Sequence, residues 1–172
     1  MTRRAIVIMP ALPLETIRTI RRRYDPLAAL VPPHLTLVFP FDSPVSPDEL
    51  RRHVTNALDD CMPFPVRLAG ITGSEGEYLF LSVKRGNDEL IALHDRLYTG
   101  ILQEHRSLVH TFLPHLTVGR RADNARFQQA LADLASLNVT VETDVAAVTV
   151  YRIEPGGGRP VESVVRLGDA QA

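Results

Sequence analysis

Tryptophan is absent from this chain of 172 residues, and cysteine occurs once, at Cys61. A lone cysteine can form neither an internal disulfide nor a cysteine-rich metal site, and such cysteine usage is typical of a reducing compartment. We therefore expect a cytoplasmic protein. The chain also lacks an excess of either charge, with 19 Lys and Arg against 20 Asp and Glu. This balance argues against a protein that coats long nucleic acid, so any recognition of phosphate must be local.

Long hydrophobic runs are also missing. The apolar run 5–14 follows Arg3 and Arg4, as in a secretory signal, but Pro10 and Pro13 interrupt it and an arginine-rich amphipathic segment follows directly. No stretch is long enough to span a membrane, so we expect no membrane partner. Hydrophobic residues make up 45% of the chain. This share suffices for one well-buried core, or for two small lobes that share one.

Hydrophobic periodicity predicts a mixture of strands and helices. The predicted strands are 5–9, 34–39, 64–71, 78–84, 115–119, 139–143, 146–153 and 161–167, and the predicted helices are 14–24, one from Ser46, 88–103 and 124–137. Pro47 in the first turn and Glu49 in a capping box mark the helix start at Ser46. The glycines 156–158 predict a hairpin turn. A phosphate-binding loop is less favoured there, because no helix N-terminus follows.

The tetrapeptide Pro-His-Leu-Thr occurs twice, at 33–36 and at 114–117. Each copy begins a predicted strand after a proline, and each strand leads into an amphipathic helix and further strands, as in duplicated half-domains. Side chains alternate between the two faces of a strand, so the histidine and threonine of each copy share one face while the leucine points into a core. If a pseudo-two-fold axis relates the halves, two imidazoles and two hydroxyls meet in one cleft.

Two imidazoles facing one phosphate suit phosphodiester chemistry, because histidine changes protonation near neutral pH. His34 and His115 are therefore the candidate catalytic residues, one deprotonating the attacking oxygen and the other protonating the leaving oxygen. The hydroxyls of Thr36 and Thr117 would bind the non-bridging phosphate oxygens. Either pair alone is better explained as an ordinary buried polar contact. A metal site is disfavoured, because neither motif has a neighbouring carboxylate or a second histidine at chelating spacing.

The motifs at 34–37 (His-Leu-Thr-Leu) and 115–118 (His-Leu-Thr-Val) resemble the paired His-x-Thr-x motifs of the 2H phosphoesterase superfamily. That superfamily includes the bacterial 2′-5′ RNA ligase-like cyclic phosphodiesterases. The flanking sequences at 24–26 (Tyr-Asp-Pro) and 97–100 (Leu-Tyr-Thr-Gly) resemble a branch of bacterial phosphoesterases within it. The likeness extends over nearly the whole chain.

The resemblance implies a bilobal α+β fold with pseudo-two-fold symmetry, in which two mostly antiparallel sheets line a central cleft and helices lie outside. It implies one domain over residues 1–172, built of two lobes that each contribute one His-x-Thr motif. It also implies hydrolysis of 2′,3′-cyclic phosphates or handling of 2′-5′ linkages, on an RNA terminus or a small nucleotide, without a cofactor or a metal. We expect a monomer.

The RNA ligase-like members often carry an arginine five residues after the second histidine, and Arg120 holds that position here. Strict alternation would instead put Arg121 on the catalytic face, so Arg121 is the alternate phosphate ligand. Pro40 and Phe41 follow the first motif where many members have glycine, and the last predicted strand has no aromatic residue near Val161. These departures concern base recognition more than the phosphate chemistry.

Two other functions remain open from the sequence. One is a binding module that senses a nucleotide or an RNA end without turnover, and the other is a phosphoesterase for a different phosphorylated metabolite. Two intact motifs favour an enzyme, because a binding module does not need two imidazoles. The sequence does not assign the acid and base roles, the direction of the reaction or the substrate, since the loops around the cleft carry no recognisable motif.

Overall fold

The computed structural model describes residues 1–11 and 15–168. The strands are β1 (Thr2–Ile8), β2 (Leu35–Ser43), β3 (Phe64–Ser74), β4 (Tyr78–Arg85), β5 (His115–Arg120), β6 (Thr140–Val145), β7 (Ala147–Arg152) and β8 (Val161–Arg166). The α-helices are α1 (Glu15–Tyr24), α2 (Pro47–Ala57), α3 (Asn87–Leu97) and α4 (Asn124–Ala135), and a 3₁₀ helix covers Gly100–His105. Leu14, the predicted start of the first helix, lies outside the described residues. Within the described ranges, no helix has the length and apolar character needed to span a membrane.

The eight strands form a sheet in the order β6-β3-β4-β5-β2-β1-β7-β8, with every pair antiparallel. It consists of two four-stranded halves, β2-β1-β7-β8 and β5-β4-β3-β6, which meet where Leu35 of β2 pairs with Leu116 of β5. The predicted α+β fold with mostly antiparallel strands is confirmed. The two predicted sheets are joined edge to edge at this boundary.

The helices pack against one face of the sheet and form the hydrophobic core with it. The strands contribute alternating aliphatic residues to that face, among them Ile6, Ile8, Leu35, Leu37, Leu79, Leu81, Leu116 and Val118. Helix α1 packs on β5 and α3 packs on β2, so each helix contacts a strand of the other half. Since the halves share one backbone pairing, these contacts contribute to holding them together. The opposite face carries a smaller buried cluster of Ala5, Val7 and Tyr151 together with polar and aromatic side chains.

Capping residues and glycines determine where several helices and strands begin or end. The predicted start of α2 is confirmed, because the Ser46 hydroxyl accepts a hydrogen bond from the Glu49 backbone N–H at 3.3 Å. The predicted helix over 88–103 is wrong in its second part. Helix α3 ends at Leu97, and the chain turns at Gly100 into the 3₁₀ helix. Gly100 has a φ of +50°, a left-handed conformation that glycine adopts most readily. The glycines 156–158 join β7 and β8 as an antiparallel hairpin, as predicted.

Candidate active site

The two His-x-Thr motifs lie where the halves of the sheet meet. The antiparallel pairing of Leu35 with Leu116 fixes their relative register. Directly opposed residues in an antiparallel pair share one face of the sheet. Extending the register by one residue in each direction gives two further cross-strand pairs, His34 with Thr117 and Thr36 with His115. The structure thus brings the four predicted side chains together on the face opposite the helices.

Both imidazoles are anchored in the same way. Nδ1 of His34 lies 2.8 Å from the carbonyl oxygen of Pro32, and Nδ1 of His115 lies 2.6 Å from that of Leu113. A carbonyl oxygen accepts hydrogen bonds and cannot donate, so Nδ1 carries the proton of each neutral ring. Nε2 is then left as the basic nitrogen of each ring.

The prolines of the repeated tetrapeptide explain why both rings are anchored alike. Pro33 and Pro114 are buried, and the Cδ of each proline sterically restricts the backbone of the residue before it, whose carbonyl accepts the hydrogen bond. Within residues 1–11 and 15–168, no protein atom forms a hydrogen bond with Nε2 of either histidine. Two imidazoles with matched tautomers therefore have their Nε2 atoms available for proton transfer to and from a ligand.

Burial lowers the pKa of both imidazoles. For His34, the cations of Arg21 and Arg159 lower the pKa further, while the backbone hydrogen bond opposes them. For His115, the charge of His34 adds to the effect of burial, again against the backbone hydrogen bond. The influence of one histidine on the other reflects how near the two rings lie. Both imidazoles are therefore neutral at pH 7 in the free protein.

Aromatic rings continue the site on the His115 side. The ring of Phe80 stacks on the imidazole of His115 with 3.5 Å between centroids and 20° between planes. Tyr78 lies 6.1 Å beyond Phe80, and the guanidinium of Arg120 lies over the Tyr78 ring at 5.1 Å. Ser82 pairs with His115 across the two strands. These residues were not among the predicted site residues, although Tyr78, Phe80 and Ser82 alternate along β4 with the buried Leu79 and Leu81.

The His34 side carries one tyrosine and one arginine that were not among the predicted site residues either. The Tyr151 ring meets the imidazole of His34 edge-on, with centroids 6.2 Å apart. The guanidinium of Arg159 lies 5.9 Å from the Tyr151 ring centroid. Alternation could have revealed Tyr151, because Val150 beside it is a core residue. For Arg159 the sequence gives no such signal, since its turn has no periodicity.

A β-bulge decides which arginine after the second motif lies on the site's face. Thr117 pairs with Phe80 but Gly119 pairs with Leu79, so one residue of β5 has no partner. Gly119 then faces the helices, and Arg120 returns to the face of Thr117. Arg121 is therefore not on the site's face, as strict alternation would have it, because the bulge shifts the alternation by one residue.

The two arginines have different surroundings. The guanidinium of Arg120 forms hydrogen bonds with both carboxylate oxygens of Glu77, at 3.2 and 3.3 Å. The guanidinium of Arg121 bonds the carbonyl oxygen of Arg23 and lies over the Tyr24 ring at the end of α1. Arg120 thus borders the site with its charge offset by a carboxylate, and Arg121 packs against α1.

A buried ion pair supports the segment that leads into the first motif. Arg21 donates two hydrogen bonds to the carboxylate of Asp25, at 2.9 and 2.5 Å, and a third to the carbonyl oxygen of Val31 at 2.7 Å. Val31 directly precedes Pro32, whose carbonyl anchors His34. Both charged side chains are buried, so this pair fixes the approach of the chain to the site. In the part of the chain that the structure describes, no three His, Cys, Asp or Glu side chains are grouped so as to hold a metal.

Solved structures share this fold. Escherichia coli LigT, complexed with 3′-AMP, aligns with a TM-score of 0.67 and 19% identity over 98% of this chain and 99% of its own. TT0787 of Thermus thermophilus aligns with a TM-score of 0.65 and 22% identity, covering 96% of this chain and 97% of its own. The chain therefore has the LigT-like fold, with a curled antiparallel sheet and few helices.

Sequence comparisons identify the family. The family model described as the 2′-5′ RNA ligase superfamily matches residues 9–157. A Geobacillus protein (strain WCH70) named "Putative phosphoesterase" is 32% identical over 158 residues, covering 88% of each chain. A Bacillus licheniformis protein of the same description is 28% identical over 166 residues, covering 93% of this chain and 96% of its own. The chain belongs to the 2′-5′ RNA ligase superfamily of 2H phosphoesterases, which confirms the resemblance.

Proposed function

We propose that the chain is a metal-independent phosphodiesterase that opens 2′,3′-cyclic phosphates or cleaves 2′-5′ linkages, at RNA ends or in small nucleotides. His34 and His115 act as the acid and base pair. One domain over residues 1–172 provides the cleft between its two lobes, and no cofactor takes part. The observation that carries the proposal is the matched anchoring of the two imidazoles, each with Nδ1 on a carbonyl two residues before it and Nε2 available.

Such a pair supplies both proton transfers that hydrolysis of a cyclic phosphate requires. Nε2 of one neutral histidine takes a proton from water as the water oxygen bonds to phosphorus. The other histidine, protonated at Nε2, gives its proton to the ribose oxygen as the P–O bond to that oxygen breaks. Both rings are neutral in the free protein, and the negative charge of bound phosphate raises their pKa values so that one ring holds the required proton.

The negative charge that develops on the non-bridging phosphate oxygens is stabilised by hydrogen-bond donors. The hydroxyls of Thr36 and Thr117 lie on the same face as the imidazoles by register and supply two of them. Arg120 borders the site and adds positive charge, reduced by its pairing with Glu77. LigT has been solved with 3′-AMP, a small nucleotide, and with phosphate, which supports a nucleotide substrate.

Turnover and its dependence on the histidines test the proposal. The purified protein is incubated with 2′,3′-cyclic nucleotides, RNA with a cyclic phosphate end and 2′-5′ dinucleotides, with and without exhaustive chelation. We expect hydrolysis of at least one class, unchanged by the chelator. His34→Ala and His115→Ala should each reduce the rate about 10²- to 10⁴-fold, the usual contribution of a positioned acid or base.

His110→Ala is the matched control, because this histidine is exposed and lies 3.6 Å from the Glu75 carboxylate, outside the motifs. It should keep the rate of the unmodified protein. Binding of these ligands without turnover would instead indicate a sensing module. Loss of turnover on chelation, restored by one divalent ion, would contradict the metal-independent mechanism.

A further inference from the structure

The turn between β7 and β8 brings Arg159 to the His34 side of the site. Its guanidinium lies over the Tyr151 ring at 5.9 Å, and that ring meets His34 edge-on at 6.2 Å. Burial is the main cause of the lowered pKa of His34, and the cation of Arg159 adds to it. Arg159 is itself half-buried. Its charge therefore acts within the site.

The turn holds this side chain in place. Nη1 of Arg159 donates hydrogen bonds to the carbonyl oxygens of Gly157 and Gly158, at 2.7 and 3.0 Å. The Glu154 backbone N–H in turn donates to the Gly158 carbonyl at 3.0 Å. At Gly157, with a φ of +88°, an added Cβ would lie 3.2 Å from Cδ1 of Leu30, in the segment that leads to His34. The turn is therefore packed against the approach to the first motif.

The charge of Arg159 has no carboxylate to offset it. Within residues 1–11 and 15–168, no Asp or Glu oxygen comes within 4 Å of its guanidinium. Glu154, the carboxylate of the same turn, pairs with Arg152 at 2.8 Å. Arg120 on the other side of the site is paired with Glu77. Of these two arginines, Arg159 thus has the greater capacity to attract an anion.

We propose that Arg159 binds a phosphate group of the substrate on the His34 side of the site, as a partner to the two motifs. A half-buried guanidinium with no carboxylate partner is suited to this role, because it forms charge-assisted hydrogen bonds to phosphate oxygens. The proposal rests on the proposed function for the identity of the substrate. The binding of inorganic phosphate tests it independently.

The first experiment uses inorganic phosphate as the probe. The protein carries isotope-labelled histidine, and the imidazole signals of His34 and His115 are followed by NMR as phosphate is added. Arg159→Ala should weaken phosphate binding about 10- to 100-fold, the effect expected for hydrogen bonds to a charged group. Arg166→Ala is the matched control, because this arginine is exposed at the far end of β8, and it should bind phosphate as the unmodified protein does.

Arg159→Gln separates charge from structure. Glutamine keeps a neutral N–H donor at this position while the charge is lost, and the circular dichroism spectrum checks that the fold is kept. We expect Arg159→Gln to bind phosphate as weakly as Arg159→Ala, with the circular dichroism spectrum of the unmodified protein. Phosphate binding by Arg159→Gln equal to that of Arg166→Ala would overturn the proposal. So would an unmodified protein that does not bind phosphate.

Turnover distinguishes which phosphate is bound and keeps the two proposals apart. The substrates are a 2′,3′-cyclic nucleotide and the same nucleotide with an added 5′-phosphate. An equal increase in KM for both in Arg159→Gln assigns Arg159 to the reacting phosphate, and an increase confined to the second assigns it to a neighbouring phosphate. If the protein hydrolyses these substrates and Arg159→Gln does so equally well, the role of Arg159 is refuted and the proposed function stands. If phosphate binding depends on Arg159 and no substrate is hydrolysed, the role of Arg159 stands and the proposed function is refuted.

Discussion

The protonation of the two imidazoles follows from a few contacts at the level of single residues. Burial favours the neutral form of His34 and His115, and each Nδ1 proton is held by a backbone carbonyl. The Nε2 atoms are therefore basic in the free protein and become protonated more readily when an anion lies beside them. Protonation and phosphate binding are coupled as a result.

We predict that both imidazoles titrate below their ordinary pKa of about 6.5 in the free protein and at higher pH once phosphate is bound. NMR titration of the histidine signals measures this directly. The same shift affects stability. Since the folded pKa values are lower than the unfolded ones, the neutral imidazoles contribute stability that is present above about pH 6.5 and lost as the pH falls through the folded pKa. A free-protein pKa above 6.5 for either ring would contradict this description of the site.

The threonine hydroxyls should matter less than the imidazoles. Thr36→Val and Thr117→Val keep the shape of the side chain and remove one hydrogen bond to a phosphate oxygen. We expect each to slow single-turnover hydrolysis roughly 10- to 100-fold, since a hydrogen bond to a charged group contributes about 1.5–3 kcal/mol. Thr140→Val, on the exposed edge strand β6, serves as the control and should leave the rate unchanged. A loss at Thr36 or Thr117 as large as at the histidines would indicate a role in proton transfer.

Among the elements, the bulged strand β5 links the core to the site. Gly119 lies so close to α1 that an added Cβ would be 2.8 Å from Cβ of Tyr24 and 2.9 Å from Cδ1 of Leu79. Cβ of Tyr24, and its carbonyl oxygen at 3.1 Å, cannot move without shifting α1. The position of Arg120 on the site's face depends on this close approach.

Gly119→Ala should therefore destabilise the protein by about 1–3 kcal/mol, as overpacking of a core does. The midpoint of urea unfolding gives the change. Gly156→Ala is the matched control, because no atom lies within 4 Å of its added Cβ, and it should change stability by less than about 0.5 kcal/mol. Equal unfolding midpoints for the two variants would show that β5 can move away from α1 at little cost.

For the whole molecule, local signals account for much of what the sequence predicts. The start of α2 is encoded by Ser46 and Glu49, and the glycines 156–158 encode a hairpin. The predicted helix over 88–103 is too long because the apolar spacing of Leu90, Leu93 and Leu97 continues to Ile101, whereas the α-helix ends at Leu97 and the chain turns at Gly100. An apolar period alone does not show where a helix stops.

Long-range features are harder to predict from the sequence. The joining of two half-sheets depends on the pairing of Leu35 with Leu116, residues that lie far apart along the chain. The bulge near Gly119 moves Arg120 to the other face, and a single glycine in a strand is only a weak signal for it. The position of Arg159 results from the packing of its turn on Leu30. It could nevertheless be predicted that the two copies of the repeated motif face one cleft, because both have the same alternation and the same preceding proline.

The two-histidine mechanism is tested most directly by the pH dependence of kcat/KM on a 2′,3′-cyclic phosphate. It is measured for the unmodified protein, the two single variants and the His34→Ala/His115→Ala double variant. A pair acting as acid and base requires one neutral and one protonated ring, so the profile should be bell-shaped. His34→Ala and His115→Ala should each remove one limb, and the double variant should lose less activity than the product of the two single losses, because the residues act as a unit. Near-normal turnover in a correctly folded His34→Ala or His115→Ala protein would contradict the mechanism.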